Sequence, residues 1–165
     1  MKKILFFIML TMIVVACNSK EERLNKQLKT TIADYMQQNI KGFTVDSVIF
    51  LGKVDSLNAV DYAFLCKQVY QNYKEQIESN ILFYIEPETP DERVDQFELM
   101  EQYEMVKAKI MSCDSMMLCD QTDTTALYCY FVAARVCGKF SGESQQMEVG
   151  FPISTDFQVQ EIKFE

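Results

Sequence analysis

Glu86-Pro87-Glu88-Thr89-Pro90-Asp91-Glu92 is the stretch on which the fold turns. Pro87 cannot continue a helix arriving from the N-terminal side. Two residues on, a new helix opens: Thr89 is an N-cap, Pro90 suits the first helical position, and Glu92 sits where a capping box needs its carboxylate. Two helices meeting at such a turn make a helical hairpin. Upstream, Val60, Phe64, Cys66, Val69, Tyr70, Tyr73, Ile77, Ile81 and Tyr84 recur at helical spacing, with Asp55-Ser56 opening the helix. Downstream, Val94, Phe97, Met100, Tyr103, Val106, Ile110 and Cys113 read as the inward stripe of its partner.

Beyond the hairpin the pattern changes on both sides. Leu24, Leu28, Ile32, Tyr35, Met36 and Ile40 predict a first helix over Glu21–Asn39, ended by Lys41-Gly42. Residues 43–54 then read as a strand with Phe43, Val45, Ile49 and Leu51 on its apolar face. After the polar loop 120–124, strands are predicted over 126–138, 146–153 and 157–164 with short turns between them, an antiparallel meander. Helix, strand, long helical hairpin and three-stranded meander argue for an α+β domain. A helix wrapped by an antiparallel sheet resembles the cystatin or nuclear-transport-factor type of architecture. The long hairpin after the first strand departs from that pattern, and fold-level analogy carries no function.

The chain begins Met1-Lys2-Lys3, continues through apolar residues 4–10 and closes on Met12-Ile13-Val14-Val15-Ala16-Cys17 before the polar Asn18-Ser19-Lys20-Glu21-Glu22. A basic start, a short apolar run and a small residue before a cut make an export signal. The run falls short of the roughly 20 apolar residues of a spanning helix. Val14-Val15-Ala16-Cys17 resembles the lipobox of bacterial lipoproteins. That resemblance implies cleavage after residue 16, a diacylglycerol and further acyl chain, such as palmitate, on Cys17, and a short tether over 17–20. More than one acyl chain suffices to hold a soluble body at a bilayer, so the anchor implies a membrane partner without a spanning helix. Lys20-Glu21-Glu22 resembles the surface-export signal of Bacteroidota lipoproteins, and Asn18 is not the aspartate of inner-membrane retention. Both imply a cell-envelope location at the outer membrane, on either its surface or its periplasmic face, with the surface-export signal pointing to the surface. Ser19 with Glu22 would also serve as a capping box for the first helix.

Length and charge narrow the remainder. Taking 16 residues from 165 leaves 149, the size of one domain, expected over 21–165. The formal net charge of -8 becomes -10 once Lys2 and Lys3 leave. Such a surface repels nucleic acid, and there is no basic cluster to offset it. The chain has no histidine, which removes the commonest general base and metal ligand. No cofactor or metal site is read from the sequence, and no Cys-x-x-Cys pair suggests zinc.

Of the five cysteines after Cys17, Cys129 and Cys137 would lie roughly 26 Å apart on one strand, too far to bridge. Cys66 reads as a buried small hydrophobe. Cys113 and Cys119 are the expected disulfide pair if the helix ends between them. Glu86, Glu88, Asp91, Glu92 and Asp95 crowd a helix junction, where acids suit the dipole. Tyr70, Tyr73, Tyr84 and Tyr103 would line a groove for sugars or peptides, or else pack in the core. Met111, Met116 and Met117 suggest an adaptable contact patch. The expectation is a non-enzymatic binding or interaction module with a protein, peptide or glycan partner. The alternative is an envelope hydrolase using a carboxylate pair, as glycosidases do with carboxyl groups about 5 to 10 Å apart.

Overall fold

A computed structural model describes residues 2–83 and 89–162, with side chains over 20–82 and 89–162 except residues 90 and 92. Its elements are α1 (Lys2–Asn39), β1 (Phe43–Phe50), β2 (Asp55–Leu57), α2 (Ala59–Phe83), α3 (Pro90–Leu118), β3 (Cys129–Phe140) and β4 (Glu143–Ser154). The class is α+β, three helices with a four-stranded antiparallel sheet. β3 is the central strand, pairing β1, β2 and β4. The chain divides into two compact units. The physical reason is that the sheet and the helical hairpin each bury a hydrophobic cluster of their own.

In the first unit, residues to Asp55 with Tyr130–Gln160, α1 lays Leu28, Ile32 and Met36 against Val48, Val132, Ala134, Val136, Phe151 and Ile153. Gly42 ends α1 with φ at +84°, the left-handed conformation that favours glycine after a helix. Ser19 is no N-cap here, because α1 runs on through it. β1 and β3 pair antiparallel from Phe43↔Phe140 to Phe50↔Ala134, with an irregularity between Val45 and Ser47. That bulge reverses the facing of the rest of the strand, since one extra residue moves every later side chain to the other side. Val48 is therefore buried, and Ile49 and Leu51, expected inside, are exposed. Gly138 is fixed by closeness: a Cβ there would stand 2.3 Å from the Thr44 carbonyl oxygen. Ser141-Gly142, both at positive φ, turn β3 into β4. After β4, the segment expected as a last strand makes one antiparallel bridge, Ile153↔Val159, and residues 163–164 lie outside the described residues.

The second unit, Ser56–Cys129 with Glu161 and Ile162, is the helical hairpin. α3 opens at Pro90, as the capping sequence predicts, although the Glu92 side chain of the proposed box lies outside the described residues. α2 starts later than expected, because Asp55 and Ser56 belong to β2 and Asn58 is the cap. Its Oδ1 accepts from the Asp61 N–H at 2.9 Å. Ala63, Cys66, Tyr70 and Ile77 of α2 and Val106 and Cys113 of α3 are buried, with Leu99, Tyr103 and Ile110 partly so. Phe64, one residue off that line, is exposed.

Candidate functional site

The first turns of α3 do not bury the residues read as their inward stripe. Val94 is 56% exposed, Phe97 63% and Met100 55%. The cause is geometric. At 3.6 residues per turn, each three-residue step falls about 60° short of a full turn. The run 94, 97, 100, 103 therefore rotates by roughly half a turn, away from the line 99, 103, 106, 110, 113 that meets α2. Only Tyr103 belongs to both.

On α2, Leu82 is likewise exposed, at 66%. Leu82, Ile81 and Glu78 of α2 with Met100, Tyr103 and Glu104 of α3 line an open groove of about 550 Å³. Its floor is apolar and its polar edge is organised. The Tyr103 hydroxyl donates to Glu78 Oε1 at 2.9 Å, and Lys74 Nζ reaches the same oxygen at 3.0 Å. The hydrogen bond from Lys74, reinforced by Tyr103, holds the Glu78 carboxyl below the usual range. Lys107 donates to both Glu104 oxygens, at 2.9 and 3.0 Å, and stands 5.3 Å over the Tyr103 ring, with Lys74 at 5.4 Å. From Pro90 to Glu104 the helix carries six carboxylates and the single Arg93. The groove is thus an apolar trough with an acidic surround.

The tyrosines expected to line a groove separate. Tyr103 lines it. Tyr70 is buried in the hairpin core, where burial raises its pKa. Tyr73 is half-buried and donates to Gln102 Oε1 at 3.2 Å. Tyr84 lies outside the described residues. Leu82, Glu78 and Glu104 are not singled out by the sequence, and Met100 reads there as part of the inward stripe. The signal available was the off-phase run of apolar residues through a strongly acidic stretch.

The expected Cys113–Cys119 bridge is absent, and both are free thiols. α3 continues through Leu118, so the two are held roughly 9 Å apart along the helix axis, beyond a disulfide's span of about 4.4–6.8 Å between Cα atoms. Cys113 is buried and Cys119 exposed. Cys66, Cys113 and Cys129 all have their pKa raised by burial, Cys129 to about 11. The Tyr62 hydroxyl donates to the Cys66 sulfur, and burial raises Tyr62 as well. Among the exposed methionines, Met111 and Met116 lie on α3 far from the groove in sequence.

The lipobox side chains, Cys17 included, lie outside the described residues, as do Glu86 and Glu88 of the acidic junction. Lys20, Glu21 and Glu22 are exposed on α1. Among the described residues no helix is long and apolar enough to cross a membrane. Among them, too, no group of three His, Cys, Asp or Glu side chains could hold a metal ion, and no carboxylate is buried. In the sheet unit a smaller hollow of about 310 Å³, lined by Ile40, Phe43, Phe140, Gln145 and Met147, contains no titratable side chain. No family model, curated protein or solved structure matches the chain.

Proposed function

We propose that this chain is a lipid-anchored envelope lipoprotein whose helical hairpin is a non-enzymatic docking surface for a cationic amphipathic segment. The observation that carries the docking role is the run of exposed apolar side chains Val94, Phe97 and Met100 on α3, with Met100 and Leu82 lining an open trough. Large apolar side chains clustered in water mark interaction sites. Here the carboxylates around them select the partner by charge: a basic segment is attracted, whereas a second acidic copy or an anionic lipid surface is repelled. The lipid anchor rests on the lipobox at Val14-Val15-Ala16-Cys17. The hydrolase alternative needs a carboxyl group raised by burial, and Glu78 at the groove is instead held low by Lys74 and Tyr103.

A titration followed by fluorescence anisotropy tests the docking role, with the soluble form starting at Asn18 and a labelled Lys/Leu amphipathic helical peptide. Leu82→Ser with Met100→Ser removes two half-exposed anchors, together worth about 1–2 kcal/mol, which is roughly tenfold in affinity. Binding should weaken by that factor, and a Glu/Leu peptide of the same apolar face should bind far less. Equal binding of both peptides, or no effect of the double variant, overturns the docking role. The anchor is tested apart from it: Cys17→Ser should leave the membrane fraction, and its retention there would refute lipidation.

A further inference from the structure

We infer that Cys66 and Cys113 are a disulfide pair in waiting, a cross-link site between α2 and α3 that closes when the protein meets a disulfide oxidant. The register of the hairpin carries the pairing. Contacts between the described residues of the two helices include Lys67 with Asp114 at 2.5 Å, Tyr73 with Gln102 at 3.2 Å, Glu78 with Tyr103 at 2.9 Å, and Lys74 over the Tyr103 ring at 5.4 Å. In an antiparallel pair the partner number falls as the first rises, and these contacts set residue 66 level with the stretch 109–115 of α3, whose one cysteine is Cys113. Cys66 and Cys113 belong to the same buried cluster, so both point into the seam and not away from it.

The spacing of packed helices suits the bond. Axes about 8–10 Å apart, with Cα atoms about 2.3 Å from each axis, leave facing Cα atoms roughly 3.4–5.4 Å apart, which overlaps the span of about 4.4–6.8 Å that a disulfide takes. Cys129 is the competing partner, since it too lies close enough to Cys66 for the two charges to interact. Access separates them. Cys66 is 7% exposed and Cys113 9%, so either can meet the oxidant first, whereas Cys129 at 0% can act only as the second thiol, and burial raises its pKa to about 11, which suppresses the thiolate that step needs.

The chemistry is thiol–disulfide exchange with a small or protein disulfide as oxidant. One thiolate attacks the oxidant, forming a mixed disulfide and releasing one thiolate. The second protein thiol, as its thiolate, then attacks the mixed disulfide, the protein S–S bond forms, and a second thiolate leaves. Two protons from Cys66 and Cys113 end on the two released thiols. Two electrons pass with them, so the protein is oxidised and the oxidant reduced. The link fastens the hairpin at the end away from the groove and does not depend on the docking role.

The test uses the full chain, natively incubated with oxidised glutathione at pH 8, quenched with N-ethylmaleimide and cut with trypsin plus an aspartate-specific protease. That digestion places Cys66, Cys113, Cys119 and Cys129 on four different peptides. The expected product is a cross-linked peptide joining Cys66 to Cys113, two hydrogens lighter than its reduced halves. It should persist in Cys119→Ser and vanish in Cys113→Ala. A dominant Cys66–Cys129 or Cys113–Cys119 link overturns the inference. So does the absence of any link while Cys119 becomes fully glutathionylated.

Discussion

Gly138→Ala should be among the most damaging single-methyl additions in the sheet. The new Cβ would stand 2.3 Å from the Thr44 carbonyl oxygen and 2.6 Å from Cζ of Phe43, roughly 1 Å inside ordinary contact. Neither neighbour yields easily. Thr44 is in the β1–β3 ladder, opposite Lys139, and Phe43 is buried in the cluster under α1. Overpacking a core typically costs about 1–3 kcal/mol. A backbone carbonyl as the obstacle puts this case at the upper end, about 3 kcal/mol, even after the few tenths alanine recovers from lower chain entropy. In urea that moves the midpoint down by about 1–2 M, and in a thermal melt it lowers Tm by roughly 6–12 °C. Gly52→Ala is the control, because a Cβ at that position would meet nothing within 4 Å. It should stay within about 0.5 kcal/mol of the parent. A Gly138→Ala protein as stable as that control would refute the β1–β3 register.

Ile32→Ala, at a fully buried position between α1 and the sheet, should cost about 2–5 kcal/mol by urea unfolding. Arg135→Ala removes two hydrogen bonds to Glu148 at 2.9 and 2.7 Å, yet this exposed pair should contribute less than about 1 kcal/mol in the same assay. Alkali should destabilise the fold around the start of β3. Cys129 is raised from the ordinary 9.0 to about 11, so the fold favours its neutral form; that stability is complete below pH 9 and is lost as pH climbs towards 11. At about 1.4 kcal/mol per unit the loss is about 2–3 kcal/mol, and Cys129→Ala should show a shallower decline over that window. Native labelling with N-ethylmaleimide at pH 7 should modify exposed Cys119 before Cys66, Cys113 and Cys129, whose burial suppresses the thiolate.

How much of this fold the sequence reveals depends on how local each signal is. Pro90 after Thr89 starts α3 because the cap and the ring act within one turn, and Gly42 ends α1 for the same kind of reason. The α+β class follows from periodicity summed over long segments. β1 misleads because a bulge after Val45 shifts the pleat, and alternation read straight through puts Ile49 inside instead of Val48. Asp55-Ser56 looks like a helix start, but a three-residue strand is too short for periodicity to find, and the cap falls to Asn58. The groove is hidden by the same three-residue spacing that suggests a core stripe. Val94, Phe97 and Met100 are apolar at intervals that resemble a helix face, and only the slow rotation of that row against the α2 contact turns it outward. The cysteine pairing depends on where α3 stops, which Asp114-Ser115 does not reveal.

Amide hydrogen exchange on the soluble form, with and without saturating Lys/Leu amphipathic peptide, locates any docking directly. Slowed exchange over 77–83 and 93–104, with the strands 43–50 and 129–154 unchanged, is the result expected of a hairpin that receives a basic helix. Protection confined to the strands, or none anywhere at saturation, would contradict it.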